Sequence, residues 1–390
     1  MLNFDFHTPT YFDFGDGAEK NVGKLVRLFG GTKVLLHYGG GSVKRNGVYD
    51  AVVSSLNEAS LPFIELGGVK PNPRSGLVYE GIELCRREGV DFVLAIGGGS
   101  SIDSAKAIAM GVPYDGDFWD FFGGTKTPEA ALPVGTVLTI AAAGSEGSYN
   151  AVITLEDGNI KAGNNPSVVC RPKFSIMNPR YTFSLPPYQT ACGITDMMAH
   201  ICERYFTNTK NVDVTDRLSE VLLKTIIANA PTAVNVPDDY DSHAEIMWAG
   251  MLAHNNLVGV GREQDWSSHG MEHELSALFD VAHGAGLAVV MPAWMEFVVT
   301  HDIARFAQFA VRVWGCDLDY ANPEKTAREG IARFKAFLRS IGMPITLSEL
   351  GIPEDAIPKL VAHRAKIGFP LGSFVKIGAD EMTAILNLAK

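Results

Sequence analysis

The sequence predicts an α/β domain followed by an all-helical domain, and three observations support that reading. In the first half, short apolar runs alternate with segments of helical period, the pattern of βαβ units on a parallel sheet. From about Tyr188 onward the apolar spacing is helical and strand signals are few. Between the halves stands Pro186-Pro187, which can begin a helix but cannot continue one. The expected domains are residues 1–185 and 186–390, since a chain of 390 residues exceeds the size at which one core keeps growing.

The elements read as follows. KVLLHY (33–38) is an apolar run ending in GGGS and leading into the helical NGVYDAVVSSLNEA. PFIEL passes through the turn GGVKPNPR to GLVYEGIELCRREG. DFVLAI (91–96) ends in a second GGGS and enters SIDSAKAIAM. PVGTVLTIA, AVITLE and KFSIMNP read as further strands. In the second half TDMMAHICERYF, DRLSEVLLKTIIANA, AEIMWAGMLAHNNLV, a histidine-rich segment, DIARFAQFAVRVW, ARFKAFLRSIG and DEMTAILNLAK have helical period. The aromatic start FDFHTPTYFDFG is expected to form an edge strand that pairs between subunits.

Composition narrows the function classes. The chain is 46% hydrophobic and 20% charged, as globular proteins are. A net charge of −11 without a basic block argues against a nucleic-acid partner. The N-terminal residues carry acids and a proline where a secretory signal needs a basic end and an apolar run. AGLAVVMPAWMEFVV, interrupted by Pro292 and Glu296, reads as too short to cross a bilayer, so no membrane association is expected. The five cysteines (85, 170, 192, 202, 316) form no Cys-x-x-Cys pair, which fits reduced thiols in a cytoplasmic protein.

Two strands end in Gly-Gly-Gly-Ser, at 39–42 and 97–100. Glycines at a strand-to-helix turn let the backbone approach a phosphate, and the exposed N–H groups favour the anion. Neither copy is the G-x-G-x-x-G fingerprint or a Walker loop. A single copy reads equally well as a tight turn; two on parallel strands of one sheet would lie together where such folds bind ligands. The first turn, YGGGSVKR, offers Ser42, Lys44 and Arg45 and no carboxylate for a ribose 2′-hydroxyl, which favours NADP, with NAD the alternative carrier.

Asp196 and His200 stand four residues apart, so both project from one helix face. His269 and His273 repeat the spacing, and His283 follows ten residues later. Imidazoles with one carboxylate suit Fe²⁺, Zn²⁺ or another first-row divalent ion, not Mg²⁺ or Ca²⁺. Each pair alone is more often a surface pair or a helix cap. His7, His37, His243, His254, His301 and His363 are scattered and read as hydrogen-bonded core residues. HGMEH (269–273) also matches H-x-x-E-H, the inverted zinc-protease signature, with Glu272 as water activator, but that reading leaves the glycine turns and Asp196/His200 unexplained.

KVLLHYGGGSVK, GGVKPNP, LAIGGGSSIDSAK, AAGSE, TDMMAH, DWSSHGMEHELSA and HGAGLA together resemble the iron-containing alcohol dehydrogenase family, in its butanol dehydrogenase and NADPH-dependent aldehyde reductase branch. The resemblance implies a dehydroquinate synthase-like architecture: a Rossmann-like dinucleotide-binding domain with a parallel sheet, then an all-α metal-binding domain. It implies metal ligands at Asp196, His200, His269 and His283, with His273 beside the metal facing the nicotinamide, where an imidazole is a candidate proton relay. The pyrophosphate turn falls on Gly98, Gly99 and Ser100, with Asp103 on the nicotinamide side. The adenosine end falls on Gly40, Ser42 and Asn72, Gly40 standing where NAD-using relatives carry Asp. Thr139, Ser145 and Lys161 match positions lining the cofactor cleft. Ala143 departs from the family, which often has threonine there.

The implied activity is interconversion of short aliphatic alcohols and aldehydes, with a divalent ion polarising the substrate oxygen and hydride passing between cofactor and carbon. The small-molecule alcohol or aldehyde is the expected partner, and a homodimer follows from the resemblance. The competing classes are a dehydroquinate synthase-like lyase, a glycerol dehydrogenase-like polyol oxidoreductase and a catalytically silent scaffold. Few basic residues flank the metal positions, which argues against a phosphorylated, carboxylated sugar as substrate.

Overall fold

The computed structural model describes residues 1–390 apart from the side chain of Glu354. The chain divides into two units. One comprises His7–Leu185 with Pro237–Met251, the other Met1–Phe6, Pro186–Val236 and Leu252–Lys390. The excursion of Pro237–Met251 falls within a helical run, where no shift in composition marks it.

The first unit runs β1 (Tyr11–Phe14), α1 (Val22–Leu28), β2 (Val34–Tyr38), α2 (Ser42–Arg45), α3 (Val48–Glu58), β3 (Phe63–Leu66), α4 (Ser75–Glu88), β4 (Phe92–Gly97), α5 (Gly99–Gly111), β5 (Val134–Leu138), β6 (Val152–Leu155), β7 (Ile160–Gly163) and β8 (Phe174–Met177). Six strands form a sheet in the order β1-β8-β5-β4-β2-β3, and every pairing in it is parallel. Every residue of β2 and β4 is buried, as continuous apolar runs require when helices cover both faces. Val34, Leu36, Phe92, Leu94 and Ile96 pack with Val48, Val52 and Leu56 of α3. Removing each such side chain from water stabilises the fold by about 1.5–3 kcal/mol.

The outlying strands fill in the rest of the first unit. AVITLE supplies β6, but β6 leaves the main sheet and pairs antiparallel with β7, whose IKAG carries no strand pattern. The aromatic N-terminus supplies an edge strand: one side of β1 pairs with β8, Tyr11 opposite Phe174, and the other side forms the edge of the sheet. β8 (FSIM), against which it adds in parallel, is buried throughout.

From β2 the chain steps to β3 on one side, and from β4 to β5 on the other. Strand order therefore reverses at the β2/β4 boundary, where open α/β sheets bind their ligands. Tyr38 lies opposite Ile96, so both GGGS turns leave neighbouring strands at the same end.

The remaining helices are α6 (Pro187–Tyr205), α7 (Asp213–Asn235), α8 (Tyr240–His254), α9 (Ser267–Phe279), α10 (His283–Val298), α11 (Ile303–Trp314), α12 (Pro323–Ser340), α13 (Ile357–Ile367) and α14 (Ala379–Leu388). Pro187 is the first residue of α6, its missing N–H falling among the donors a helix start leaves unpaired anyway. α10 runs through Pro292, so the apolar stretch is longer than the sequence reading allows. The window His283–His301 is long and apolar enough to cross a membrane by composition, but 78% of it is buried inside the protein, which marks a core helix. All five cysteines are buried free thiols.

Candidate metal and dinucleotide sites

Asp196 and His200 project from one face of α6, with His200 Nδ1 3.5 Å from Asp196 Oδ1. His269, in the first turn of α9, places Nε2 3.7 Å from the same oxygen. His283, the first residue of α10, also places Nε2 3.7 Å from it. The last approach needs Gly284, because a Cβ there would stand 2.0 Å from the carbonyl oxygen of Cys192, one turn before Asp196 on α6.

These separations are too long for good hydrogen bonds. Asp196 Oδ1, His200 Nδ1 and His269 Nε2 are buried and have no hydrogen-bond partner. Leaving a buried polar atom unpaired costs about 1–3 kcal/mol, yet here three converge within 4.8 Å of one another. Donors about 2.1 Å from a tetrahedral cation stand about 3.4 Å apart, close to the spacing observed. The donor set thus fits a first-row divalent ion.

Two buried carboxylates stand behind the imidazoles. Glu203 Oε1 accepts from the His269 backbone N–H and Nδ1, both at 2.9 Å, and Oε2 accepts from Trp266 N at 2.8 Å. Glu272 accepts from His283 Nδ1 and from Ser276 Oγ. Each carboxylate fixes a ring so that Nε2 faces inward, the support that metal-binding histidines normally have. Trp266 itself adopts φ 66, unusual for a bulky residue, held by Glu203 and by the Arg204 guanidinium 4.6 Å from its ring.

Electrostatics follow from burial. Burial, then the neighbouring His254 and His269, holds His200 well below the usual histidine range, leaving it neutral with a lone pair to offer. Burial also opposes the charge on His269, but the carboxylates of Asp196 and Glu203 outweigh it and raise its pKa to about 9.

At the other site α5 starts directly from β4. A Cβ on Gly98 would stand 3.0 Å from Ile140, and one on Gly99 2.9 Å from Ala143 Cβ, so side chains there would fill the turn. Nothing lies within 4 Å of the place where a Cβ on exposed Gly40 would stand. Glycine is therefore not demanded there by packing, and the space above the first turn is open. This cradle fits a dinucleotide backbone.

Family models for "Iron-containing alcohol dehydrogenase" match residues 9–179 and for "Fe-containing alcohol dehydrogenase family, C-terminal" residues 190–389. The chain belongs to the iron-containing alcohol dehydrogenase family. NADH-dependent butanol dehydrogenase A of Clostridium acetobutylicum is 43% identical over 99% of each chain. The NADPH-dependent aldehyde reductase YqhD of Escherichia coli is 37% identical over 100% of each. The crystal structure of NADH-dependent butanol dehydrogenase A from Thermotoga maritima superposes with a TM-score of 0.96 at 41% identity, covering 100% of this chain and 99% of that one.

Of the residues singled out in the sequence, Asp196, His200, His269 and His283 come together, and His273 lies beside them, its ring centroid 5.8 Å from that of His283. Gly98, Gly99 and Ser100 form the second turn, and Gly40 and Ser42 lie exposed on the first. Asn72 Oδ1 accepts from Lys161 Nζ at 3.0 Å. Asp103 accepts from Ser145 Oγ at 2.5 Å and Val152 N at 2.9 Å, so these two residues organise the nearby turn together. Thr139 N bonds to Gly97 O at 3.0 Å.

Other readings need correction. Glu272, the water activator of the protease alternative, is fully buried and holds His283. Lys44 is not free in the basic turn, because Glu65 pairs with it at 3.6 Å. His37, His243 and His363 are core residues as expected, but His7 and His301 are exposed. His254 is also buried as expected, its ring tilted by 51° against that of His200 with centroids 4.1 Å apart. Residues the sequence reading missed include Glu203 and Arg204, which follow His200 on α6, Arg204 donating to His200 O at 2.7 Å. Another is Lys106, buried, whose Nζ donates to Ser145 O, Ser145 Oγ and Asn150 O at 2.6–2.7 Å. The i+3 and i+4 spacing from His200 was the available signal for the first two; His254 and Lys106 carried none.

Proposed function

We propose that this enzyme reduces short aliphatic aldehydes and oxidises the matching alcohols, using NADP and an Fe²⁺ or Zn²⁺ ion held by Asp196, His200, His269 and His283. The observation that carries the ligand assignment is the convergence of three buried, unpartnered donor atoms backed by Glu203 and Glu272. A cation bound there supplies Lewis acidity toward a carbonyl or alcohol oxygen.

The chain's own residues do the rest. Asp196 offsets part of the ion's charge, and the three imidazoles donate as neutral ligands. Gly98, Gly99 and Ser100 admit the pyrophosphate, with Asp103, Thr139 and Ser145 along the same side and Asn72 and Lys161 toward the adenosine. Gly40 and Ser42 replace the carboxylate that would repel a 2′-phosphate, which is the reason for choosing NADP. In the reductive direction the carbonyl carbon receives the hydride and its oxygen receives a proton, which we assign to His273. The exposed outer edge of β1, with Tyr11 and Phe14, is the surface we assign to a homodimer contact. Five unpaired thiols suit a reducing compartment such as the cytoplasm.

The test follows absorbance at the reduced-nicotinamide band, with butanal and either NADPH or NADH, on protein stripped and reloaded with Fe²⁺ or Zn²⁺. Turnover that requires the ion and runs faster with NADPH is expected. Turnover in the stripped protein refutes the metal assignment, and a preference for NADH refutes the cofactor choice.

A further inference from the structure

The first glycine turn carries two adjacent cations, and their surroundings differ. Lys44 Nζ lies 4.4 Å from the ring centroid of Tyr49 and 5.3 Å from that of Tyr38. It stands 3.6 Å from Glu65 Oε2. Glu65 in turn accepts from Tyr38 OH at 2.5 Å and from Tyr49 OH at 2.6 Å. The four side chains close on one another: the carboxylate meets the ammonium and two hydroxyls, and the ammonium rests on two π faces. β2 supplies Tyr38, β3 supplies Glu65 and α3 supplies Tyr49, so three elements of the sheet and its cover hold the cage.

Arg45 has no such company. It is exposed and takes part in no side-chain hydrogen bond or ion pair among the described residues. Its Nη1 lies 3.0 Å from where a Cβ on Gly41 would stand, so the guanidinium folds back over the glycine backbone between Gly40 and Ser42. The open space above Gly40 adjoins it.

We infer that Arg45, and not Lys44, is the cation that reads a 2′-phosphate on the adenosine ribose, while Glu65, Tyr38 and Tyr49 hold Lys44 out of that role. The inference rests on the NADP reading above and sharpens it. A guanidinium presents a planar fork that matches two phosphate oxygens, and a free one has no partner to surrender. Lys44 would have to leave a carboxylate and two aromatic faces to do the same. Glu65, its oxygens engaged by two hydroxyls and an ammonium, then bears little uncompensated charge against the phosphate.

The test is calorimetric titration of the full-length enzyme with adenosine 2′,5′-bisphosphate and with 5′-AMP, probes that need neither metal nor turnover. In Arg45→Met, affinity for the bisphosphate is expected to fall about ten- to hundredfold, the range of one charge-assisted contact, with 5′-AMP unchanged within about twofold. Lys44→Met should leave the preference for the bisphosphate standing. Glu65→Gln, which loosens the cage while keeping an acceptor for the tyrosines, should tighten the bisphosphate several-fold and leave 5′-AMP alone. If Arg45→Met keeps the preference, the inference is overturned, whatever Lys44→Met does. If the unmodified enzyme binds both probes equally, the NADP reading falls and takes this inference with it, a result distinct from the first.

Discussion

Replacing Glu203 by Gln tests the candidate metal site through a residue that touches no ion. Glu203 is buried and accepts three hydrogen bonds, from His269 N, His269 Nδ1 and Trp266 N. Glutamine keeps the shape and one oxygen but offers an NH₂ where the second oxygen stood. At least one N–H then loses its acceptor, and the bond to His269 Nδ1 loses its charge assistance, about 1–2 kcal/mol. Loss of a carboxylate behind a ligating histidine lowers metal affinity roughly ten- to hundredfold.

Proton competition modifies that figure. His269, raised to about 9 in the absence of an ion, must release a proton before Nε2 can bind one. Because the folded value is raised, the proton is held below about pH 9 and affinity falls as pH drops. Between pH 9 and 7 the penalty for the unmodified enzyme is about 3 kcal/mol, near a hundredfold. The variant lacks one of the two carboxylates that hold the proton, so its affinity should vary less with pH. The gap between the two proteins is therefore widest near pH 9 and narrower at pH 7. Chelator competition with Zn²⁺ at both values measures this, with circular dichroism to confirm the fold. Equal affinities within twofold at pH 9 would show that Glu203 does not support a ligand.

Three further outcomes are expected. His283→Ala should strip the ion, whereas His273→Ala should keep metal content unchanged and lower turnover roughly a hundredfold or more; elemental analysis beside steady-state rates separates them. Gly284→Ala forces a methyl group against the Cys192 carbonyl, so the start of α10 must move; metal affinity and thermal midpoint should both drop, the latter reflecting about 1–3 kcal/mol. Burial, against the pull of the Leu66 carbonyl, lowers His37 to about 4. A depressed folded value means its contribution is present above about pH 6.5 and lost as pH falls toward 4, about 3 kcal/mol in all, so His37→Gln should flatten the acid limb of denaturant midpoints measured across that range.

The parallel sheet was legible because its central strands are buried on both faces and read as unbroken apolar runs, VLLHY and FVLAIG. The β6–β7 hairpin was not, since IKAG lacks both alternation and β-branched content apart from Ile160. The candidate ligand pair on α6 was legible for a geometric reason: a spacing of four fixes two side chains on one helix face before any tertiary contact forms. Glu203 obeys the same periodicity from His200 and could have been read. Lys44 shows the opposite limit. Its charge is plain in the sequence, but the carboxylate that engages it comes from β3, twenty-one residues later.

The charge of the candidate metal cluster links these observations. Asp196, Glu203 and Glu272 gather three buried carboxylates around His269 and His283, and burying anions without compensation is costly. Neutral imidazoles cannot supply compensating positive charge, and Arg204 donates to the backbone of His200 at 2.7 Å. In the absence of an ion a proton on His269 supplies part of it, drawn by the carboxylates of Asp196 and Glu203, whereas burial above all drives neighbouring His200 down. On the proposed ligand assignment a divalent cation would take that proton's place and satisfy Asp196 Oδ1, His200 Nδ1 and His269 Nε2 at once. On that assignment, binding the ion and completing the fold around α6, α9 and α10 would be one equilibrium, and the ion's release should loosen all three helix contacts together.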